Sequence, residues 1–247
     1  MTNAIELSGV VAELQGQESA SDLTFTVAAG KCVVLMGPSR SGKSLILELC
    51  AGLVAPEHGT VQVLGQDWAR VSAEDELDLR LRIGIVLQQP GLLGNMTLYN
   101  NVALPLRYHG ARLGESEIDR LVVGQLRLLG LESLRDQFPA QLNPGEARGA
   151  AIARALVLEP ELLLLDDPVA GLDADMVERL GRYLATIRQS RQITLLLTLR
   201  TSSPLMDLAD YVAEVRVGRI HAIKTSSDFA AVRSGGRGLP NYPTRNP

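Results

Sequence analysis

The sequence predicts an α/β domain: a mostly parallel sheet flanked by helices, with a helical subdomain inserted into it. Three observations carry that class. Short runs that are apolar at nearly every position (Cys32–Met36, Ile83–Leu87, Leu162–Leu165 and Ile193–Thr198) have the length and pattern of strands buried on both faces. Helix-patterned segments alternate with them, as a parallel sheet requires. Between about residues 91 and 142 the strand-like runs vanish, and helical stretches broken by Pro and Gly take their place. A length of 247 residues suits one domain with a subdomain, and 46% hydrophobic with 21% charged residues excludes wholesale disorder.

Taken in order, Ile5–Val11 and Leu23–Val27 read as strands joined by a Gly-bearing loop, and Ala28–Lys31 as a turn into the buried strand Cys32–Met36. Ser44–Gly52 is helical, with Leu45, Ile46, Leu47 and Leu49 on its apolar positions. Thr60–Leu64 is a strand, Gly65–Asp67 a turn, Ala73–Leu81 a charged helix and Ile83–Leu87 a strand. Ser116-x-x-Asp119 resembles a capping box ahead of the stripe Ile118, Leu121, Val122, Leu128 and Leu129, and Gly130 closes that helix. Then follow an alanine-rich helix Gly145–Leu156, strand Leu162–Leu165, helix Met176–Arg188, strand Ile193–Thr198, helix Pro204–Ala209 and strand Tyr211–Val217. The stretch Arg233–Pro247 combines Gly, Pro and Arg with no acid, and the whole of 226–247 is expected to be a flexible C-terminal tail behind a domain at 1–225.

A net charge of −4 provides no general basic field, so no nucleic-acid partner is expected. Cys32 and Cys50 show no metal-ligand spacing and suit a reducing compartment. Cys32, Trp68 and Tyr99 read as packing residues. The N-terminus has no basic stretch ahead of an apolar run, so no signal peptide is expected, and the apolar runs fall far short of the ~20 residues that span a bilayer. Work at a membrane would need a partner.

The chemistry concentrates after the first buried strand. Gly37-Pro38-Ser39-Arg40-Ser41-Gly42-Lys43-Ser44 fits G-x-x-x-x-G-K-[ST], between a strand and a helix. Glycines let backbone N–H groups wrap a phosphate, and the helix N-terminus adds its dipole. Lys43 reaches the β- and γ-phosphates as a point charge, and Ser44 can ligate Mg²⁺. The apolar run Leu162–Leu165 ends in Asp166-Asp167, which delivers a carboxylate to the strand's C-terminal end, where open α/β sheets bind ligands.

With these motifs stand Gly84–Pro90 (GIVLQQP), Phe138–Leu156 (FPAQLNPGEARGAAIARAL), Glu161–Asp173 (ELLLLDDPVAGLD) and Ala209–Ile220 (ADYVAEVRVGRI). In this order the sequence resembles ATP-binding-cassette (ABC) ATPases over about residues 3–222. The resemblance implies a P-loop NTPase of the ABC type, with a mostly parallel core sheet, an antiparallel β subdomain and a helical subdomain inserted at about 91–142. It implies ATP and Mg²⁺ as cofactors, residues 37–44 on the phosphates, and Ser44, Gln88 and Asp166 toward the metal. It implies catalytic roles for Asp167, Gln88 and Lys43. Asn143 and Gly145, in the signature region, would contact nucleotide across a dimer, either a homodimer or a heterodimer with another ABC ATPase. Asp173, at the end of the D-loop (Ala170–Asp173), acts across that dimer or caps its helix. The family's setting implies integral-membrane permease subunits docked near Gln88 and the helical subdomain, on the cytoplasmic face of the inner membrane, with hydrolysis coupled to transport. Met96–Arg107 is similar to the same stretch in ATPases of Mla/MCE-type lipid transporters, where basic tails can clasp a neighbour.

Five departures accompany the matches. Asp167 stands where the family has glutamate, one methylene shorter, and general-base catalysis depends on geometry first. Leu199 stands where the family carries its switch histidine. Leu142-Asn-Pro-Gly-Glu146 replaces LSGGQ; Asn143 and Glu146 keep a capping box, while Pro144 has no N–H to offer phosphate. No aromatic residue precedes Thr24 to stack adenine, which leaves Val11 or Leu14. Arg40 replaces a P-loop glycine and costs roughly 1–2 kcal/mol if its φ is positive. Two readings stay open: a transporter motor subunit with slowed hydrolysis, and a degenerate subunit that binds ATP structurally or regulatorily beside a catalytic paralogue.

Overall fold

The computed structural model describes residues 2–14, 18–109 and 113–228. The chain opens with long antiparallel strands, β1 (Asn3–Leu14) and β2 (Glu18–Ala28). The loop expected between them shrinks, because pairing continues through Ala12 with Ala20 and Glu13 with Ser19. β3 (Cys32–Met36) leads into α1 (Lys43–Cys50). β4 (His58–Val63) and the two-residue β5 (Gln66–Asp67), expected as a turn, complete an antiparallel sheet in the order β2-β1-β4-β5.

After α2 (Ala73–Leu81) and β6 (Ile83–Val86) comes the helical region, with α3 (Leu98–His109) and α4 (Glu115–Leu128). α5 (Pro144–Leu156) returns the chain to β7 (Leu162–Asp166), α6 (Ala174–Arg191), β8 (Thr194–Leu199), β9 (Tyr211–Arg216) and β10 (Arg219–Thr225). The described strands of the second sheet run β10-β9-β3-β8-β7-β6, parallel throughout except for the β9–β10 hairpin.

The continuous apolar runs follow from this layering. Cys32, Val34 and Met36 of β3 face a core shared with α3–α6, whereas Val33 and Leu35 face a second core closed by α1 and the antiparallel sheet. β7 divides the same way, Leu163 and Leu165 to one side and Leu162 and Leu164 to the other. Each fully buried leucine contributes about 1.5–3 kcal/mol. Burial pushes the thiols of Cys32 and Cys50 up to about 12, so both stay protonated core groups. Trp68 packs beside the second core, its Nε1 donating to the Cys50 carbonyl at 3.1 Å. Tyr99 packs against the first core, with the guanidinium of Arg135 over its ring at 4.7 Å.

Two local expectations need correction. α4 begins at Glu115 with Gly114 at its N-cap, so Ser116 and Asp119 lie inside the helix and form no capping box. Glu115 and Glu117 in the first turn complement the helix dipole there instead. Pro204–Leu208 is a 3₁₀ turn rather than an α-helix, capped by Ser203, whose hydroxyl accepts from the Leu205 N–H at 3.3 Å. Residues 229–247, which hold most of the expected tail, lie outside the described residues. No described helix is long and apolar enough to cross a membrane.

Candidate nucleotide site

The β3–α1 turn is shaped by its glycines. A Cβ at Gly37 would stand 2.2 Å from the Val215 carbonyl oxygen, and Gly42, at φ 96°, caps α1. Arg40 adopts φ 61°, the left-handed conformation that costs a non-glycine residue roughly 1–2 kcal/mol. Lys43 is buried, and its ammonium donates to the carbonyls of Gly37 at 2.8 Å and Pro38 at 2.7 Å and to Ser41 Oγ at 3.2 Å. The loop's own acceptors thus hold the cation at the centre of the cradle.

β7 and β8 supply the facing wall. Their parallel register sets Asp166 beside Thr198, whose hydroxyl donates to Asp166 Oδ1 at 2.5 Å and accepts from the Asp167 N–H at 2.9 Å. One side chain therefore positions both acids. Asp167 sits at φ 48° with its carboxylate nearly buried, and pairs with Arg200, Nε to Oδ2 at 2.9 Å. Burial raises the Asp167 carboxyl above the ordinary carboxylate range, and Arg200 is the largest opposing influence. Leu199 is 0% exposed and belongs to the first core, so the position of the absent imidazole has become a packing position.

Ser39, Arg40, Ser41, Lys43, Ser44, Gln88 and Asp166 converge on one cleft of about 320 Å³. Thr198 and Arg200 join them there. The cleft faces a polyanion with three cationic side chains, and Ser44, Gln88 and Asp166 bring to it the hard oxygen donors that Mg²⁺ takes. A magnesium nucleotide therefore fits the donor set. Asp167 stands just behind, joined to the cleft through Arg200.

Asn143 and Gly145 are not brought to this cleft. Asn143 is the N-cap of α5: its Oδ1 accepts from the Glu146 N–H at 2.9 Å, and Glu146 Oε2 accepts from the Asn143 N–H at 2.8 Å. A Cβ at Gly145 would lie 2.4 Å from the Gly171 carbonyl oxygen, so this glycine lets the D-loop pack onto α5. Asp173 caps α6 through the Met176 N–H at 2.8 Å.

Two buried groups escaped sequence reading. Arg148 of α5 donates to the carbonyls of Gln88, Leu87, Asp166 and Ala170, tying the glutamine segment, the acid strand and the D-loop to one guanidinium. Burial lowers its pKa. Asn101 of α3 is 0% exposed and pins the segment after Gln88, accepting from the Leu93 N–H at 2.7 Å and donating to the Leu93, Met96 and Thr97 carbonyls.

The family model described as "ABC transporter" matches residues 20–170, over half of the chain. The chain belongs to the ABC transporter family. The cassette is 36% identical over 194 residues to the "Probable ribonucleotide transport ATP-binding protein mkl" of Mycobacterium tuberculosis, an alignment that covers 78% of this chain and 54% of that protein. It is 34% identical over 222 residues to the "Sulfate/thiosulfate import ATP-binding protein CysA" of Pseudomonas aeruginosa, covering 89% of this chain and 66% of that one. The cassette thus spans about half the length of the first relative and slightly less than two thirds of the second. Among solved structures it superposes on the dimeric bacterial ABC transporter cassette MJ0796 with a TM-score of 0.84 at 25% identity, covering 90% of this chain and 98% of that one. The fold of cbiO1 from Clostridium perfringens, part of the ABC transporter complex cbiONQ, matches with a TM-score of 0.79 at 24% identity, over 95% of this chain and 93% of that one.

Proposed function

We propose that this cassette binds magnesium ATP, hydrolyses it, and couples that cycle to transport through integral-membrane permease subunits at the cytoplasmic face of the inner membrane. The observation that carries the reading is the convergence of Lys43, Ser44, Gln88 and Asp166, from separate segments of chain, on one cleft. Bound there, the magnesium nucleotide supplies an electrophilic phosphoryl group whose charge the cation helps to neutralise. Lys43 and the backbone N–H groups of the loop hold the phosphates. Thr198 keeps Asp166 oriented, and Asp167 is the carboxylate available to accept a proton from an attacking water. Its short side chain and left-handed backbone support turnover slower than a well-aligned glutamate would give, by about 10²-fold.

The placement of Asn143 and Gly145 away from the cleft supports a site completed by a second cassette, and the similar cassette MJ0796 is dimeric. The named cargoes of the relatives differ, ribonucleotide and sulfate or thiosulfate, and Met96–Arg107 favours a lipid. The permease that co-purifies decides among these classes. The reading is tested by calorimetry with magnesium ATP and by steady-state phosphate release. The wild type is expected to bind at micromolar to millimolar ATP, and Lys43→Ala to lose binding by at least about tenfold together with all turnover. Equal binding by both proteins overturns it.

The Asp167–Arg200 ion pair favours a second reading, in which the nucleotide is held with little hydrolysis to stabilise a dimer. Single-turnover phosphate release no faster than the uncatalysed background, with binding intact, would select it.

A further inference from the structure

We propose that Arg200 binds the γ-phosphate, and that it exchanges its partner from Asp167 to the nucleotide when ATP enters. The inference rests on the nucleotide reading of the cleft and extends it to a residue outside the family's motifs.

Geometry places Arg200 for this. It follows Leu199, the last residue of β8, whose side chain is sunk in the first core. Thr198 and Arg200, on either side of Leu199, both line the cleft that holds Lys43, Ser44 and Gln88. The guanidinium is 49% exposed at its side chain, so it can move without opening the core. Its Nε meets Asp167 at 2.9 Å, and the guanidinium carries four further N–H donors. Arginine forms two parallel hydrogen bonds to phosphate oxygens, which a leucine at position 199 cannot do.

Charge decides the exchange. Asp167 offers Arg200 one negative charge, whereas the terminal phosphate of ATP carries about two, and Coulomb attraction scales with that charge. ADP ends one phosphate short, so the pair with Asp167 persists. The exchange breaks the Arg200–Asp167 pair and frees the Asp167 carboxylate only when the γ-phosphate is present. Arg200 would then sense the nucleotide and release the Asp167 carboxylate in one movement.

The test compares ADP with a slowly hydrolysed ATP analogue, each with Mg²⁺, by calorimetry on the full chain. Arg200→Ala is expected to weaken the analogue by about 10- to 100-fold while ADP affinity changes less than about twofold. Arg200→Lys keeps the charge without the fork and should fall between. Asp167→Asn releases Arg200 and should tighten the analogue, not ADP. ADP binding in each variant reports an intact fold. Equal loss for ADP and analogue, or no change for either, overturns the exchange. If the wild type binds neither nucleotide, the nucleotide reading itself fails, and the two failures are told apart.

Discussion

Burial raises the Asp167 carboxyl above the ordinary carboxylate range, and the guanidinium of Arg200 only partly offsets it, being half exposed to solvent. The folded chain therefore holds this proton more tightly than the unfolded chain. Below the unfolded value of about 4 the charge is absent from both states and costs nothing; as pH rises through the folded value, the buried charge costs stability. Asp167→Asn removes that cost, and asparagine also accepts the φ of 48° at this position. Without nucleotide, the variant should melt above the wild type at pH 7, and the gap should close as pH falls below about 4. A series of Tm values across pH checks this, and a variant less stable at neutral pH would mean that the Arg200 pair outweighs burial. The acids were legible in sequence because they end an apolar run. Arg200 was not, because position 200 gains meaning only when β8 lies beside β7 and its last residue turns inward.

Among the elements, α5 does more than carry the signature. Its capping box was readable from Asn143 and Glu146, since both partners lie within one turn. Its Arg148 was not, since the carbonyls it satisfies belong to the segments around positions 87, 166 and 170. Removing that guanidinium leaves several buried acceptors without a donor, at about 1–3 kcal/mol for each that stays unsatisfied. Arg148→Met keeps most of the volume and should lower stability by about 3 kcal/mol or more. Denaturant unfolding measures it. A loss below about 1 kcal/mol would mean that water replaces the guanidinium, and that these segments do not depend on α5 for their positions.

At the scale of the molecule, the cleft and the signature residues face separate tasks within one chain. The cleft gathers the P-loop, Gln88 and Asp166, while Asn143 and Gly145 are engaged with α5 and the D-loop. If a second cassette completes the site, magnesium ATP should shift the chain from monomer to dimer in light scattering, and Lys43→Ala should remain monomeric at the same concentration. A dimer that forms equally without nucleotide would place the interface elsewhere. The α/β class, the phosphate loop and the acids at the end of β7 are written into the sequence alone, because each depends on residues adjacent in the chain or on a short apolar period. The packing of the folded chain, by contrast, makes Leu199 core, brings Arg200 into the cleft and sets Arg148 and Thr198 to hold the site's walls. Those roles arise from contacts between segments far apart in the chain, whose geometry no local spacing encodes.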